Sequence, residues 1–316
     1  MSPSSLRALV LHFGALGDFV LSWPALGLLA AGPPAMELHL VGEPAWAELI
    51  LPPARVVDRE SVRLAKLFVM EPAGEADVWL AGFARAVVFA VKPDQALLAH
   101  LRLAGIGEIW TVPTRPGLGQ RLHAGDLQVQ ALRSCGLTGS ALPPPSRLES
   151  PTGPGSGVIA PGSGGTAKRL GPELAASLAA CLAEAYGPPL VVLGPAEASE
   201  RDPIWREELE RALAAVPHRL FDCPSIADLA QALRAAPLYA GADSGVTHLA
   251  AALGAPTLAV FQASDPAVWA PREAEVCVPD RAEAALAKML RYFSRRAARP
   301  GAGLRLRPGQ RSRHAG

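Results

Sequence analysis

Four cysteines are spread through 316 residues, Cys135, Cys181, Cys223 and Cys277, each more than 40 residues from the next. No CxxC pair and no Cys/His cluster exists, which argues against a disulfide framework and a structural zinc site. Scattered thiols in apolar surroundings are expected to be buried, in a cytosolic protein. No DxD pair and no HxxxH spacing occurs, so metal-independent chemistry without a cofactor is expected. A Ser-His-Asp hydrolase lacks support because no GxSxG elbow is present. His12 and Asp18 interrupt the apolar N-terminus before a signal-peptide core is complete. No stretch of about 18 uncharged apolar residues is free of proline and glycine, so no membrane span is expected.

Acidic residues are missing from one region only. From Arg291 onward there are eight arginines and no Asp or Glu, which leaves the body up to Leu290 with 22 basic against 29 acidic residues, a formal charge of −7. Such a body is a poor nucleic-acid binder. The tail from Arg296 has no apolar periodicity and is expected to be disordered. It is either a solvated terminus or a patch that docks on anionic lipid, at the cytoplasmic face of the inner membrane.

What the chain does have is apolar residues, half of the total, with 19% charged. That is a core-forming composition, and the length suits two domains of roughly 150 residues each. Short apolar runs alternate with helical segments in both halves, which predicts α/β domains with parallel sheets. In the first half the strands are Leu6–Phe13, Glu37–Val41, Arg55–Asp58, Ala86–Val91 and Glu108–Val112, with one apolar helix from Phe19 to about Ala31 that Pro24 kinks or shortens. The Pro/Gly/Ser-rich stretch Thr138–Gly157 reads as a linker. Domains are therefore expected over 1–150 and 151–295, followed by the tail 296–316.

The second half restarts with Val158–Ala160 and carries three Gly-bearing turns after strands, at 162–168, 194–197 and 241–248. Ligands of open α/β sheets bind at that edge, so together the turns could surround one nucleotide. In the last turn Asp243 and Ser244 stand where a helix N-cap belongs, and Gly241 and Gly245 let a ligand approach the backbone. A helix N-terminus there suits a diphosphate. The loop 161–168 is not a P-loop, since Ala167 precedes Lys168 and Arg169 follows it. It is either a nest that aims Lys168, Ser163 and Thr166 at phosphate oxygens, or a surface loop with a solvated lysine. His248 is a structural histidine or a hydrogen-bond donor to phosphate. Glu197 is a plain helix N-terminal acid or an acceptor for ribose hydroxyls. In the first half Gly14-x-x-Gly17 is no dinucleotide fingerprint, and Asp18 after it is an N-cap or a general base.

Together these segments resemble the ADP-heptose:lipopolysaccharide heptosyltransferases, glycosyltransferase family 9. GALGDFVLSWPAL is similar to the family's opening signature, PGSGGTAKRLGPE to its phosphate loop, LGPAE to its nucleoside-binding turn, and GADSGVTHLAAALGAPTLAVF with SDP to its most specific motif. Leu170 stands where an aromatic residue is common, and Ala242 where asparagine is frequent. The resemblance implies a GT-B architecture, with two Rossmann-like domains facing across a cleft, an acceptor domain first and a nucleotide-sugar domain second. It makes Asp18 the catalytic base of an inverting transfer. It makes Ser163, Thr166 and Lys168 diphosphate contacts, Glu197 a ribose or base contact, and Asp243, Ser244, Gly245, Thr247 and His248 the donor-binding turn. The implied partners are a nucleotide-diphosphate sugar and a glycolipid or oligosaccharide acceptor. The alternatives are another nucleotide-sugar enzyme of this fold, an epimerase included, and a non-catalytic nucleotide-sugar-binding relic.

Overall fold

The computed structural model describes residues 6–68, 79–148, 155–198 and 202–297. The expected disorder of the Arg-rich tail falls almost wholly outside them. The chain divides into two compact units, Met1–Ser150 with Ala267–Trp269, and Pro151–Pro266 with Ala270–Gly316.

The first unit holds β1 (Leu6–His12), β2 (Met36–Gly42), β3 (Val56–Asp58), β4 (Arg85–Phe89) and β5 (Glu108–Val112). All pairings are parallel, in the order β3-β2-β1-β4-β5. The second unit holds β6 (Val158–Ala160), β7 (Leu190–Leu193), β8 (Arg219–Asp222), β9 (Tyr239–Ala242), β10 (Thr257–Val260) and β11 (Ala274–Cys277), again all parallel, in the order β11-β10-β9-β6-β7-β8. Counted within each unit, both sheets follow the doubly wound dinucleotide-binding order. The α/β class with two Rossmann-like parallel sheets is thus what the protein has.

Central strands of such sheets are covered on both faces and read as continuous apolar runs. Ala8 to Leu11 are wholly buried, as are all residues of β9 and β10. Each unit has its own core. Leu9, Leu11, Val88, Leu97 and Leu101 belong to the first, and Ile159, Leu178, Leu182, Val191 and Leu258 to the second.

In each unit the strand order reverses once, between β1 and β4 and between β6 and β9. The crossovers from the two central strands leave in opposite directions, so the loops after them part and leave a crevice at the carboxyl edge. Register places His12 beside Phe89 in the first unit and Ala160 beside Gly241 in the second.

Three expectations change. The helix Phe19–Ala31 is two helices, Leu16–Leu21 and Trp23–Ala31, that meet at Ser22. Pro24 has no N–H for the carbonyl four residues earlier, and its ring crowds that carbonyl, so the chain restarts with Pro24 in the first turn of the second helix. The stretch read as a linker is partly laid down on the first unit. A Cβ on Gly27 would lie 1.6 Å from the Leu142 carbonyl oxygen, and Arg147 N–H donates to Leu49 O at 2.8 Å. The cysteines are not buried: Cys135 and Cys223 are exposed, Cys181 and Cys277 half-buried. Cys135 caps the C-terminus of helix Ala124–Ser134, and Cys223 follows the edge strand β8 at φ +43°.

Candidate functional site

In the second unit the crevice between β6 and β9 is lined by the loop after each strand. The β6 loop ends in the 3₁₀ turn Thr166–Lys168. It is fastened to the β9 turn by Ser163, whose buried hydroxyl donates to Asp243 O at 2.9 Å. A second fastening is Gln262, which follows β10. Its Nε2 donates to Ala167 O at 3.0 Å and to Arg169 O at 2.5 Å.

Asp243 lies at the centre of this arrangement with 4% of its surface exposed. Lys168 Nζ is 2.7 Å from its Oδ2, the Ser264 hydroxyl donates to the same oxygen, and His248 Nε2 is 3.7 Å from Oδ1. Burial by itself would raise the carboxyl; His248, Lys168 and Ser264 outweigh it and hold the group down at about 2. Asp243 is therefore a fixed anion and no proton acceptor near neutral pH. Lys168 keeps 37% of its side chain exposed, next to the exposed Gly164, Gly165 and Thr166. The ammonium thus reaches Asp243 on one side and solvent on the other.

Helix Gly245–Ala252 starts beside it. Its N-cap is Ser244 alone, whose Oγ accepts from Thr247 N at 3.4 Å. Asp243 was an equal candidate from the sequence, but its carboxylate is turned to Lys168 and His248. The first amides of a helix have no intrahelical acceptor, so Gly245 and its neighbour present N–H groups and positive potential at the crevice. Thr247 faces inward. Its hydroxyl donates to Ala242 O at 2.5 Å and accepts from the buried Tyr239 hydroxyl at 2.8 Å. Gly241 is required under this contact, because a Cβ would stand 2.2 Å from the Tyr239 oxygen.

Glu197, in the turn Pro195–Ala198 after β7, is 6% exposed. One carboxylate oxygen accepts from Gly194 N at 2.9 Å. The other has no hydrogen-bond partner among the described residues and lies 3.8 Å from Arg169 Nε. The carboxylate packs on the β6 loop: a Cβ on Gly162 would come within 2.3 Å of Glu197 Cδ. Arg169, which the sequence reading did not single out, joins the segments. It donates to Ser163 O at 3.2 Å, Ala196 O at 3.3 Å and Asp202 at 3.0 Å, with its guanidinium over Trp205. Trp205 Nε1 in turn donates to Leu170 O at 3.1 Å.

Ser163, Lys168, Asp243, Ser244, Gly245 and His248 are thus brought together, with Thr166 exposed on the same loop and Glu197 beneath it. Ser264, Gln262 and Arg169 were missed. Ser264 belongs to the quoted SDP motif and Arg169 follows Lys168, so the signal was there for both. Gln262 had no local signal.

Asp18 lies in the first unit, in the turn after β1. It is the third residue of helix Leu16–Leu21, whose N-cap is Ala15 without a side-chain bond, so Asp18 is not the cap. Its side chain is half-buried and packs over Gly14, where a Cβ would meet Asp18 Cβ at 2.8 Å and Oδ2 at 3.3 Å.

Among the described residues no group of three His, Cys, Asp or Glu could hold a metal ion, and no helix is long and apolar enough to cross a membrane.

Residues 155–289 match glycosyltransferase family 9 (heptosyltransferase). A search of curated proteins found no match. Among solved structures, E. coli ADP-heptose LPS heptosyltransferase II is similar over 92% of this chain and 100% of its own, at 18% identity and a TM-score of 0.68. The glycosyl transferase family 9 protein from Veillonella parvula is similar over 88% of this chain and 86% of its own, at 17% identity and 0.67. E. coli heptosyltransferase WaaC with ADP is similar over 91% and 100%, at 15% and 0.61. Residues 155–289 thus match glycosyltransferase family 9 (heptosyltransferase), and over about nine-tenths of its length the chain has the fold of solved heptosyltransferases.

Proposed function

We propose that the protein is an inverting glycosyltransferase that needs no metal and moves a heptose, or a related sugar, from a nucleotide diphosphate donor to a glycan acceptor. ADP-heptose is the donor and a lipopolysaccharide core or related glycolipid the acceptor. The observation that carries the reading is the crevice between β6 and β9, where the partly exposed Lys168 is held by Asp243, two residues before the helix that starts at Gly245. Both favour a diphosphate. E. coli heptosyltransferase WaaC, similar in fold, has been solved with ADP.

In this reading the donor's diphosphate lies against Lys168, Thr166 and the Gly245 end of the helix. Asp18 removes the proton of an acceptor hydroxyl, whose oxygen attacks the anomeric carbon. The bond from that carbon to the diphosphate oxygen breaks, and its electron pair leaves with the nucleoside diphosphate. Charge grows on the leaving oxygens, where the Lys168 ammonium and the helix amides stabilise it. Asp243 stays ionised and keeps Lys168 oriented, which leaves the proton transfer to Asp18. Removal of one such donor typically costs about 3 kcal/mol of transition-state stabilisation.

The test has two arms. Thermal shifts against a panel of nucleotide sugars should rise most with ADP-heptose, and a larger rise with another donor reassigns the substrate. Asp18→Asn should keep the donor's thermal shift and lose turnover; near wild-type transfer by that variant removes Asp18 as the base.

A further inference from the structure

His12 ends β1 and is 3% exposed, an unusual place for an imidazole unless its nitrogens are occupied. Both are. Gly14 N–H donates to Nδ1 at 3.3 Å, so Nδ1 carries no proton. Nε2 therefore carries it and donates to the Ser22 hydroxyl at 3.0 Å, and that hydroxyl donates to the backbone oxygen of Asp18 at 2.9 Å. Burial pushes the imidazolium down to about 4, so the ring is neutral and this tautomer persists at neutral pH. Phe19 and Phe89 hold the ring in place, with centroids 5.3 and 5.4 Å away.

The relay spans the segment that sets Asp18. One end fixes Gly14, the residue over which the Asp18 side chain packs. The other fixes Ser22, where the two helices meet, and reaches the peptide of Asp18 itself. The Gly14 position is closed from both sides, since a Cβ there would meet His12 Cε1 at 2.9 Å as well as Asp18. The His12 ring and the Asp18 side chain thus flank one glycine.

We propose that His12, acting through Ser22, is the positioning residue for the Asp18 carboxylate. The proposal rests on the reading of Asp18 as the base, and it assigns no proton transfer to His12. A displaced catalytic group of about 1 Å can cost on the order of a hundredfold in rate. Ser22→Ala removes the link and leaves a small buried side chain. His12→Gln retains an amide near Nε2 that can still donate to Ser22.

In the full-length protein, Ser22→Ala is expected to lower kcat by about ten- to a hundredfold. The donor KM and the donor-induced thermal shift should stay unchanged, because the donor contacts lie in the second unit. His12→Gln should recover part of the kcat that His12→Ala loses. With Asp18→Asn already present, Ser22→Ala should lower the residual rate no further, since nothing is left to position. Wild-type kcat in Ser22→Ala, or a loss that multiplies in full with that of Asp18→Asn, overturns the proposal. If Asp18→Asn itself turns over normally, the base assignment fails first and the positioning role falls with it. If Asp18→Asn is inactive while Ser22→Ala is normal, only the positioning role is lost.

Discussion

Replacing Asp243 by Asn tests the electrostatics of the crevice directly. The carboxyl is held at about 2 in the folded protein against an ordinary value of 3.8. A depressed carboxyl contributes stability that is fully present above the unfolded value and is lost as pH falls through the folded one. The difference corresponds to about 2 kcal/mol at pH 7, an upper figure because Lys168 is partly solvated. Linkage leaves that contribution unchanged from pH 7 to pH 5, and removes about half of it by pH 3. Urea unfolding of wild type and Asp243→Asn at pH 7, 5 and 3 measures it. The stability gap between them should be equal at the two higher pH values and narrower by about 1 kcal/mol at pH 3. A gap independent of pH, or a variant more stable than wild type at pH 7, would refute the argument that three neighbours overcome the burial of this carboxylate.

Two further predictions concern the walls of the crevice. Gly162→Ala should destabilise the protein, because the new methyl would overlap the Glu197 carboxylate at 2.3 Å, and adding Glu197→Ala should restore most of the loss in thermal unfolding; no restoration would show that the backbone, and not Glu197, needs the glycine. Thr247→Val should lower stability by about 1–3 kcal/mol in denaturant titrations, since it leaves the Tyr239 hydroxyl buried without its acceptor and Ala242 O without its donor. A neutral effect would mean that Thr247 Oγ1 is not the partner of either group.

The legible parts of this protein were those written in short range. Apolar runs flanked by Gly-bearing turns located most strands, because a strand covered on both faces must be apolar throughout. The edge strand β11 was missed for the same reason: it is only partly covered and carries Glu275 outward, so it shows no run. Helix Gln95–Leu103 was also passed over, although Asp94 caps it by accepting from Leu97 N at 3.0 Å. The division of one expected helix at Ser22 was foreshadowed by Pro24, whose effect on the preceding turn is local.

The sequence alone determined the α/β class and the grouping of chemistry-bearing residues on turns after strands, since both follow from patterns a few residues long. The tertiary structure decided which candidate side chains are tied into the fold and which stay open at the crevice, because that depends on groups far apart in the chain. Thr247 and Asp243 are four residues apart on one turn. Yet Tyr239 draws the Thr247 hydroxyl inward, while Lys168, 75 positions away, and Ser264 hold Asp243 as an ionised anchor. The same holds for His12. In the sequence it only interrupts an apolar run; in the fold it bridges Gly14 and Ser22 around the one carboxylate assigned to the chemistry.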